Sequence, residues 1–265
     1  MPADKQPQTR VAGSSESAPD LRSGTTAIIT GISNRDFLEK YSLPGCIGLS
    51  SGETLIDRAI KRAERHIDPA GQWGSWSHAF IFQGCRVDGC QWVLESDLQF
   101  HRKHVHLGVQ ENRLEKYCDE EFYQTLAILD FGLTAEQLNV LLREGLNLVA
   151  SRTGYSVREL AGTLLALREP RLRGRPNLLA QDRALYCSAF VQHLYQKIGL
   201  DLNPGVHGKN TTPEDLARSS LPHRRYILER PAPPGKLTKL RGHLRRRVGF
   251  GLARLKTTKG KTPAS

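Results

Sequence analysis

Cys187 is the residue whose type and position most directly suggest chemistry. It stands at the predicted start of a helix with the sequence YCSAFVQHLYQKIG. The unpaired amide groups and the dipole at a helix N-terminus stabilise an anion, and a thiolate is such an anion. Cys187 is therefore a candidate nucleophile. A structural cysteine is the alternative, since free thiols are among the most frequently buried side chains.

A thiolate nucleophile needs a base, and two polar residues interrupt apolar segments upstream of Cys187. His78 lies within SHAFIF and Glu95 within WVLESD, and both segments are predicted strands. A turn signal between them predicts an antiparallel hairpin. A reversal centred on residues 86–87 would set His78 directly opposite Glu95, whereas a tight turn on residues 88–89 would offset them by four residues. Both registers put the two side chains on one face, and the sequence leaves the choice open.

The elements that must position these residues are predicted from apolar periodicity and capping signals. Helices are predicted at residues 54–65, 134–150, 157–167 and 186–198, with a short one opened by Thr212 and Pro213. Strands are predicted at residues 46–50, 77–83 and 91–98. Because strands and helices do not alternate regularly, the predicted fold class is α+β and not a doubly wound sheet.

Six short segments follow one another in a recognisable order, which is PGCIGL, LI, SHA, VLES, YCSAF and TPED. This ordered set resembles the circularly permuted papain-like amidases, the YiiX-like branch of the NlpC-type cysteine peptidase superfamily. In ordinary papain-like enzymes the cysteine precedes the histidine, whereas in this branch the histidine strand comes first, as it does here. The resemblance covers roughly residues 41–228.

The resemblance implies a permuted papain-like (NlpC-type) domain, with an antiparallel sheet and packed helices, that acts as a thiol protease or amidase. Cys187 would be the nucleophile, His78 the general base and acid, and Glu95 the group that orients the imidazole. Backbone amides around Cys187 would form much of the oxyanion hole. Tyr186 and Trp76 are further candidates, which would line the substrate cleft. No cofactor and no metal ion is expected.

The expected substrate is a peptide, another amide or a lipid-linked acyl group. Hydrolysis of an amide through an acyl-thioester on Cys187 is the first interpretation. Related permuted folds also act on lipid esters or move acyl chains, so a lipid-directed thioesterase or acyltransferase is an alternative. A binding module without catalysis is another. Cys46 stands where the family often has the acid of Gly-Asp-Ile, which bears on the polarity of the cleft and not on the three proposed catalytic residues.

The positive charge of the chain is concentrated at its C-terminal end. The whole sequence carries a formal net charge of +11, and residues 223–265 contain thirteen basic residues against one acidic residue. The rest of the chain is therefore close to neutral. Leucine and valine recur every three or four residues within 237–252, which predicts a basic amphipathic helix. Residues 231–265 are expected to form a flexible or amphipathic tail, for which an acidic membrane surface and nucleic acid are the candidate partners. A solvated, disordered tail without a partner is the alternative.

Composition sets the remaining expectations for the 265-residue chain. Residues 1–24 are polar and rich in Ser, Pro and Gly, which predicts disorder, and the catalytic domain is expected to span residues 25–230. Five scattered cysteines argue against a disulfide scaffold and fit a reducing compartment. Without a membrane-spanning run or a secretion signal, the expected location is cytoplasmic, and signal-independent secretion stays open as a second route.

Overall fold

An eight-stranded sheet runs through the part of the chain that the computed structural model describes, which is residues 8–12, 24–52, 55–101, 104–154, 157–177, 179 and 184–230. The strands are β1 Gln8–Ala12, β2 Thr26–Thr30, β3 Ile47–Ser51, β4 His78–Cys85, β5 Gln91–His101, β6 His104–Arg113, β7 Thr125–Asp130 and β8 Arg224–Leu228. Their order across the sheet is β1-β2-β8-β7-β3-β4-β5-β6.

The sheet is mixed, which corrects the expectation of an antiparallel one. Strands β1, β2 and β8 pair in parallel, whereas all other neighbours pair antiparallel. Within the segment 1–24, for which the sequence predicts disorder, the strand Gln8–Ala12 pairs with the outer side of β2. The physical reason is that an edge strand offers a row of unpaired backbone groups, and a short extended segment can satisfy them.

The helices confirm the predicted α+β class. They are α1 Asn34–Tyr41, α2 Leu55–Ala63, α3 Ala135–Ala150, α4 Val157–Arg168, α5 Pro170–Arg173, α6 Cys187–Lys197 and α7 Pro213–Ala217. Single 3₁₀ turns follow at Glu64–His66, Leu114–Cys118 and Gly208–Asn210. Thr134 and Gln137 form a capping box at the start of α3, so the predicted N-terminus of that helix is confirmed.

Side chains alternate between two hydrophobic cores on opposite faces of the sheet, as the two-residue period of a strand requires. On one face, Ile47, Leu49 and Ile81 pack with residues of α6, including Phe190. On the other face, Phe80 and its neighbours pack with residues of α1 and of the 3₁₀ turn Leu114–Cys118. Among the described helices, none is long and apolar enough to cross a bilayer. The tail 231–265 lies outside the described residues.

Candidate active site

His78 and Glu95 are joined by a direct contact between their side chains. The Nε2 atom of His78 lies 2.7 Å from Oε2 of Glu95. The residue of β4 that lies opposite Glu95 is Phe80. His78 comes two residues before Phe80 on that strand, so its side chain lies on the same face of the sheet as that of Glu95. This register falls between the two that the sequence left open. A bulge between Phe82 and Gly84 contributes one residue of this shift, and Gly84 accommodates it with a φ of 105°, which an L side chain rarely adopts.

The side chains of Cys187 and His78 interact at a point where one helix and one strand begin. Cys187 is the first residue of α6, and His78 is the first residue of β4. With Nε2 of His78 facing Glu95, Nδ1 is the ring nitrogen left for the thiol. Burial lowers the pKa of His78, but the charge of Asp97 and the hydrogen bonds to Cys187 and Glu95 outweigh it and raise that pKa well above its ordinary value. The surroundings of His78 therefore favour the charged form of the imidazole beside the sulfur.

Glu95 is fully buried, and four side chains satisfy its carboxylate. His78 and Tyr117 bond to Oε2, at 2.7 and 2.5 Å, while Asn112 and Lys116 bond to Oε1, at 2.6 and 2.9 Å. Burial alone would raise the pKa of Glu95, but Lys116 and His78 hold it well below its usual range. Glu95 is thus a fixed negative charge that can orient and stabilise an imidazolium.

The ammonium group of Lys116 lies between the carboxylates of Glu95 and Asp97, next to the imidazole of His78. His78, Glu95 and Asp97 bring atoms of the metal-binding type within 4.8 Å of one another. Lys116 Nζ, however, lies 2.9 Å from Oε1 of Glu95 and 2.6 Å from Oδ2 of Asp97. Burial opposes the charge of Lys116, yet the two carboxylates raise its pKa. A divalent ion would have to displace this ammonium, so the cluster fits an ion-pair network better than a metal centre.

The support for Glu95 extends back to a glycine of the early strand. Gly48 lies beside Phe80, and a Cβ on Gly48 would stand 2.2 Å from the phenyl ring. The ring of Phe80 stacks on that of Tyr117, with centroids 4.0 Å apart. Tyr117 in turn donates its hydroxyl hydrogen to Glu95. The space that Gly48 leaves therefore lets Phe80 support the tyrosine that holds the carboxylate.

A second set of contacts anchors the segment that leads into His78. Ser75 donates its backbone N–H to the carboxylate of Glu214 in α7, at 3.0 Å. The backbone N–H of Glu214 in turn donates to Glu64 at 3.0 Å. Burial raises the pKa of Glu64 well above its ordinary value. The TPED segment of the sequence thus fixes the entry to β4, with Thr212 and Asp215 forming the capping box of α7.

Tyr186 and Trp76, the two candidates for lining the cleft, are both buried in the core that packs on α6. Tyr186 is 1% exposed, and its hydroxyl donates to the backbone oxygen of Thr211 at 2.6 Å. Tyr186 is the N-cap residue of α6, the helix that begins with Cys187, and its side chain makes no capping hydrogen bond. A contact of either ring with substrate stays a prediction.

The sequence did not indicate the residues that surround Glu95. Asn112 is the second-to-last residue of β6, and Lys116 and Tyr117 lie in the 3₁₀ turn that follows that strand. No periodic pattern marks that turn, and a lysine beside a tyrosine is ordinary on a surface. The available signal was indirect, because a carboxylate inside an apolar strand requires partners if it is buried.

This chain is similar to a known protein in its fold and not in its sequence. No protein-family model matches the sequence, and no curated protein matches it. The structure is similar to the crystal structure of metalloprotein YiiX from Escherichia coli O157:H7, DUF1105, with 15% sequence identity and a TM-score of 0.45. The similarity covers 72% of this chain and 98% of the other.

Proposed function

We propose that this protein is a cysteine hydrolase of the permuted papain-like type, which cleaves an amide through an acyl-thioester on Cys187. The observation that carries the proposal is the position of His78, whose imidazole interacts with Cys187 on one side and with the fully buried carboxylate of Glu95 on the other. That arrangement is the one in which a carboxylate orients an imidazole and the imidazole activates a thiol.

The reaction would proceed in two steps with His78 as the proton carrier. The sulfur of Cys187 attacks the carbonyl carbon and forms a C–S bond, while protonated His78 gives its proton to the amine that leaves as the C–N bond breaks. Neutral His78 then takes a proton from water, whose oxygen attacks the thioester carbon. The C–S bond breaks, the acid is released and the sulfur returns to its starting state. Glu95 keeps its charge throughout and stabilises the imidazolium.

Backbone amides at the start of α6 are the proposed donors to the developing oxyanion. The first N–H groups of a helix have no partner within the helix, and Cys187 is the first residue of α6. The side-chain hydroxyl of Ser188 is not a further donor, since it already donates to the backbone oxygen of Thr211 at 2.8 Å. The nucleophile and the oxyanion donors would therefore come from the same helix terminus.

The test is to trap the covalent intermediate. The full chain is mixed with 4-nitrophenyl acetate, quenched in acid within seconds and analysed by intact mass and peptide mapping. We expect an acetyl group on Cys187 that hydroxylamine removes, and no adduct in Cys187→Ala. Cys46→Ala is the matched control, because Cys46 is also buried but burial raises its pKa to about 12. No acyl group on Cys187, or equal loss in both variants, would contradict the proposal.

A second arm separates hydrolysis from acyl transfer. The acetylated protein is followed in buffer alone and in buffer with an added amine or alcohol acceptor. Deacylation at the same rate in both supports a hydrolase. Deacylation only with the acceptor would favour the acyltransferase alternative, which shares the intermediate but uses a different second nucleophile. A panel of peptide anilides and lipid thioesters then distinguishes an amidase from a lipid-directed thioesterase.

A further inference from the structure

A cavity with a strongly basic lining lies between α2 and α4, and the proposed reaction makes no use of it. It encloses about 570 Å³, which falls within the range of small-molecule sites. Its principal polar and aromatic lining residues are Arg58, Arg62, Arg65, His66, Trp73 and Arg168. Among its described lining residues there is no acidic side chain.

The arginines of this cavity are placed where they repel one another. Arg58 and Arg62 are four residues apart on α2, a spacing at which like charges destabilise a helix. Arg65 follows in the next turn, and Arg168 adds a fourth charge from α4. An arrangement that costs stability in the free protein is offset when an anion binds between the charges.

Among the described residues, three of the four cavity arginines have no carboxylate partner, unlike several arginines elsewhere in the domain. Several arginines elsewhere are paired with carboxylates, in the pairs Arg86–Glu111, Arg173–Asp215, Arg218–Glu214 and Arg224–Asp130. Within the described part of the chain, Arg62, Arg65 and Arg168 form no ion pair. These three arginines line the cavity and are exposed, so they retain their capacity for an external anion.

Apolar surface stands beside this charge. Trp73 is 55% exposed, which is a large exposure for an indole, and it lines the cavity with the half-buried Leu164. A purely inorganic anion would leave the indole in water. A ligand that carries both an anionic group and a flat or apolar group would satisfy both parts of the wall.

We propose that this cavity binds an organic phosphate, meaning one or more phosphate groups joined to an aromatic or aliphatic group. The planar fork of arginine matches phosphate oxygens in a bidentate manner, and the three arginines that form no ion pair with described residues provide more positive charge than a single carboxylate needs. The ligand can come from two sources, a water-soluble phosphate ester or a phospholipid. The site is independent of the reaction proposed for Cys187, so either proposal can fail without the other.

The test uses the full chain and two probes, phenyl phosphate in solution and vesicles of phosphatidic acid in phosphatidylcholine. Binding of the soluble probe is measured by calorimetry and by the fluorescence of Trp73, with Trp73→Phe identifying that signal. The cavity variant is Arg62→Gln with Arg168→Gln. The control variant is Arg35→Gln with Arg158→Gln, which removes the same charge from exposed positions on α1 and α4 that do not line the cavity. The basic tail is present in the wild type and in all variants, so any binding that it contributes is the same in each of them.

We expect saturable one-to-one binding of phenyl phosphate that weakens by about 30-fold or more in the cavity variant and by about twofold or less in the control. Vesicle binding with the same dependence on the cavity variant would identify a lipid source, whereas dependence for the soluble probe alone would identify a phosphate ester. Equal weakening in both variants, unsaturable binding, or binding of neither probe would overturn the proposal. Thermal melting of each variant confirms that it is folded.

Discussion

The substitution Glu95→Gln tests the electrostatic design of the site, because it removes one charge and almost no volume. All four partners of Glu95 approach its oxygens as hydrogen-bond donors, two on each oxygen. Glutamine offers one oxygen and one amide nitrogen, so in either orientation two donors would face another donor. If the amide nitrogen takes the side of His78 and Tyr117, it donates to Nε2 of His78 and drives that ring to its neutral form, with its proton on Nδ1 beside Cys187.

The expected loss of stability follows from the burial of the site. Each buried donor left unsatisfied costs about 1–3 kcal/mol, and the tyrosine hydroxyl can rotate to relieve part of the conflict, so we expect the free energy of unfolding to fall by about 3 kcal/mol. Urea denaturation measures this change. Glu111→Gln is the matched control, since Glu111 lies on the neighbouring strand and pairs with Arg86 in a partly exposed ion pair, whose loss costs about 1 kcal/mol or less.

The same substitution should also slow the alkylation of Cys187. An ordinary thiol, with a pKa near about 8.5, is only about 1% thiolate at pH 6.5, so a thiol uncoupled from a charged imidazole reacts about 100-fold more slowly there than a full thiolate. Iodoacetamide is small enough to probe a residue that is 3% exposed, and peptide mass spectrometry reports the rate at Cys187 alone. The reasoning is refuted if folded Glu95→Gln reacts within about twofold of wild type at pH 6.5.

Three further predictions concern the surroundings of the site. Replacing Lys116 with Met should lower the free energy of unfolding by about 2–3 kcal/mol in urea, since the buried carboxylate of Glu95 loses its cation. The loss should shrink on acidification, as the carboxylate of Glu95 in the variant becomes protonated. Because the pKa of His78 is raised, its stabilising protonation is complete below about pH 6.5 and disappears as the pH rises through the folded-state pKa. The stability difference between wild type and His78→Gln should therefore be larger at about pH 6 than at about pH 9, and an unchanged difference would contradict the raised pKa. Replacing Tyr186 with Phe should cost about 1–2 kcal/mol through the lost bond to Thr211, while alkylation of Cys187 stays within about twofold; a collapse of reactivity would instead assign the hydroxyl to the chemistry.

The features that could best be predicted from the sequence are those that depend on residues close together in the chain. The cap of α3 at Thr134 follows from a capping signal, and the two strands that carry His78 and Glu95 follow from their apolar pattern. Both signals depend on neighbours in the chain. Helix α6 begins within one residue of its predicted start. The contact between His78 and Glu95 was anticipated as a shared face. Its register was not, because a single bulged residue before Gly84 shifts the pairing and no periodic signal marks it.

Long-range contacts account for what the sequence could not provide. The network of Lys116, Tyr117 and Asn112 around Glu95 joins residues about twenty positions apart through a 3₁₀ turn without an apolar pattern. The pairing of Gln8–Ala12 with β2 was missed because the composition of the N-terminal segment indicates disorder, whereas the unpaired edge of the sheet decides the outcome.

The coupling of Cys187 to His78 is the central claim, and the pH dependence of alkylation at Cys187 tests it most directly. Wild type and His78→Ala are treated with iodoacetamide across a pH range, and the exposed Cys85 in each protein serves as an internal reference. We predict that Cys187 of wild type stays reactive well below the range in which an ordinary thiol ionises, near about pH 8.5, and that His78→Ala loses this low-pH reactivity. Identical profiles in the two proteins, both following Cys85, would contradict the account.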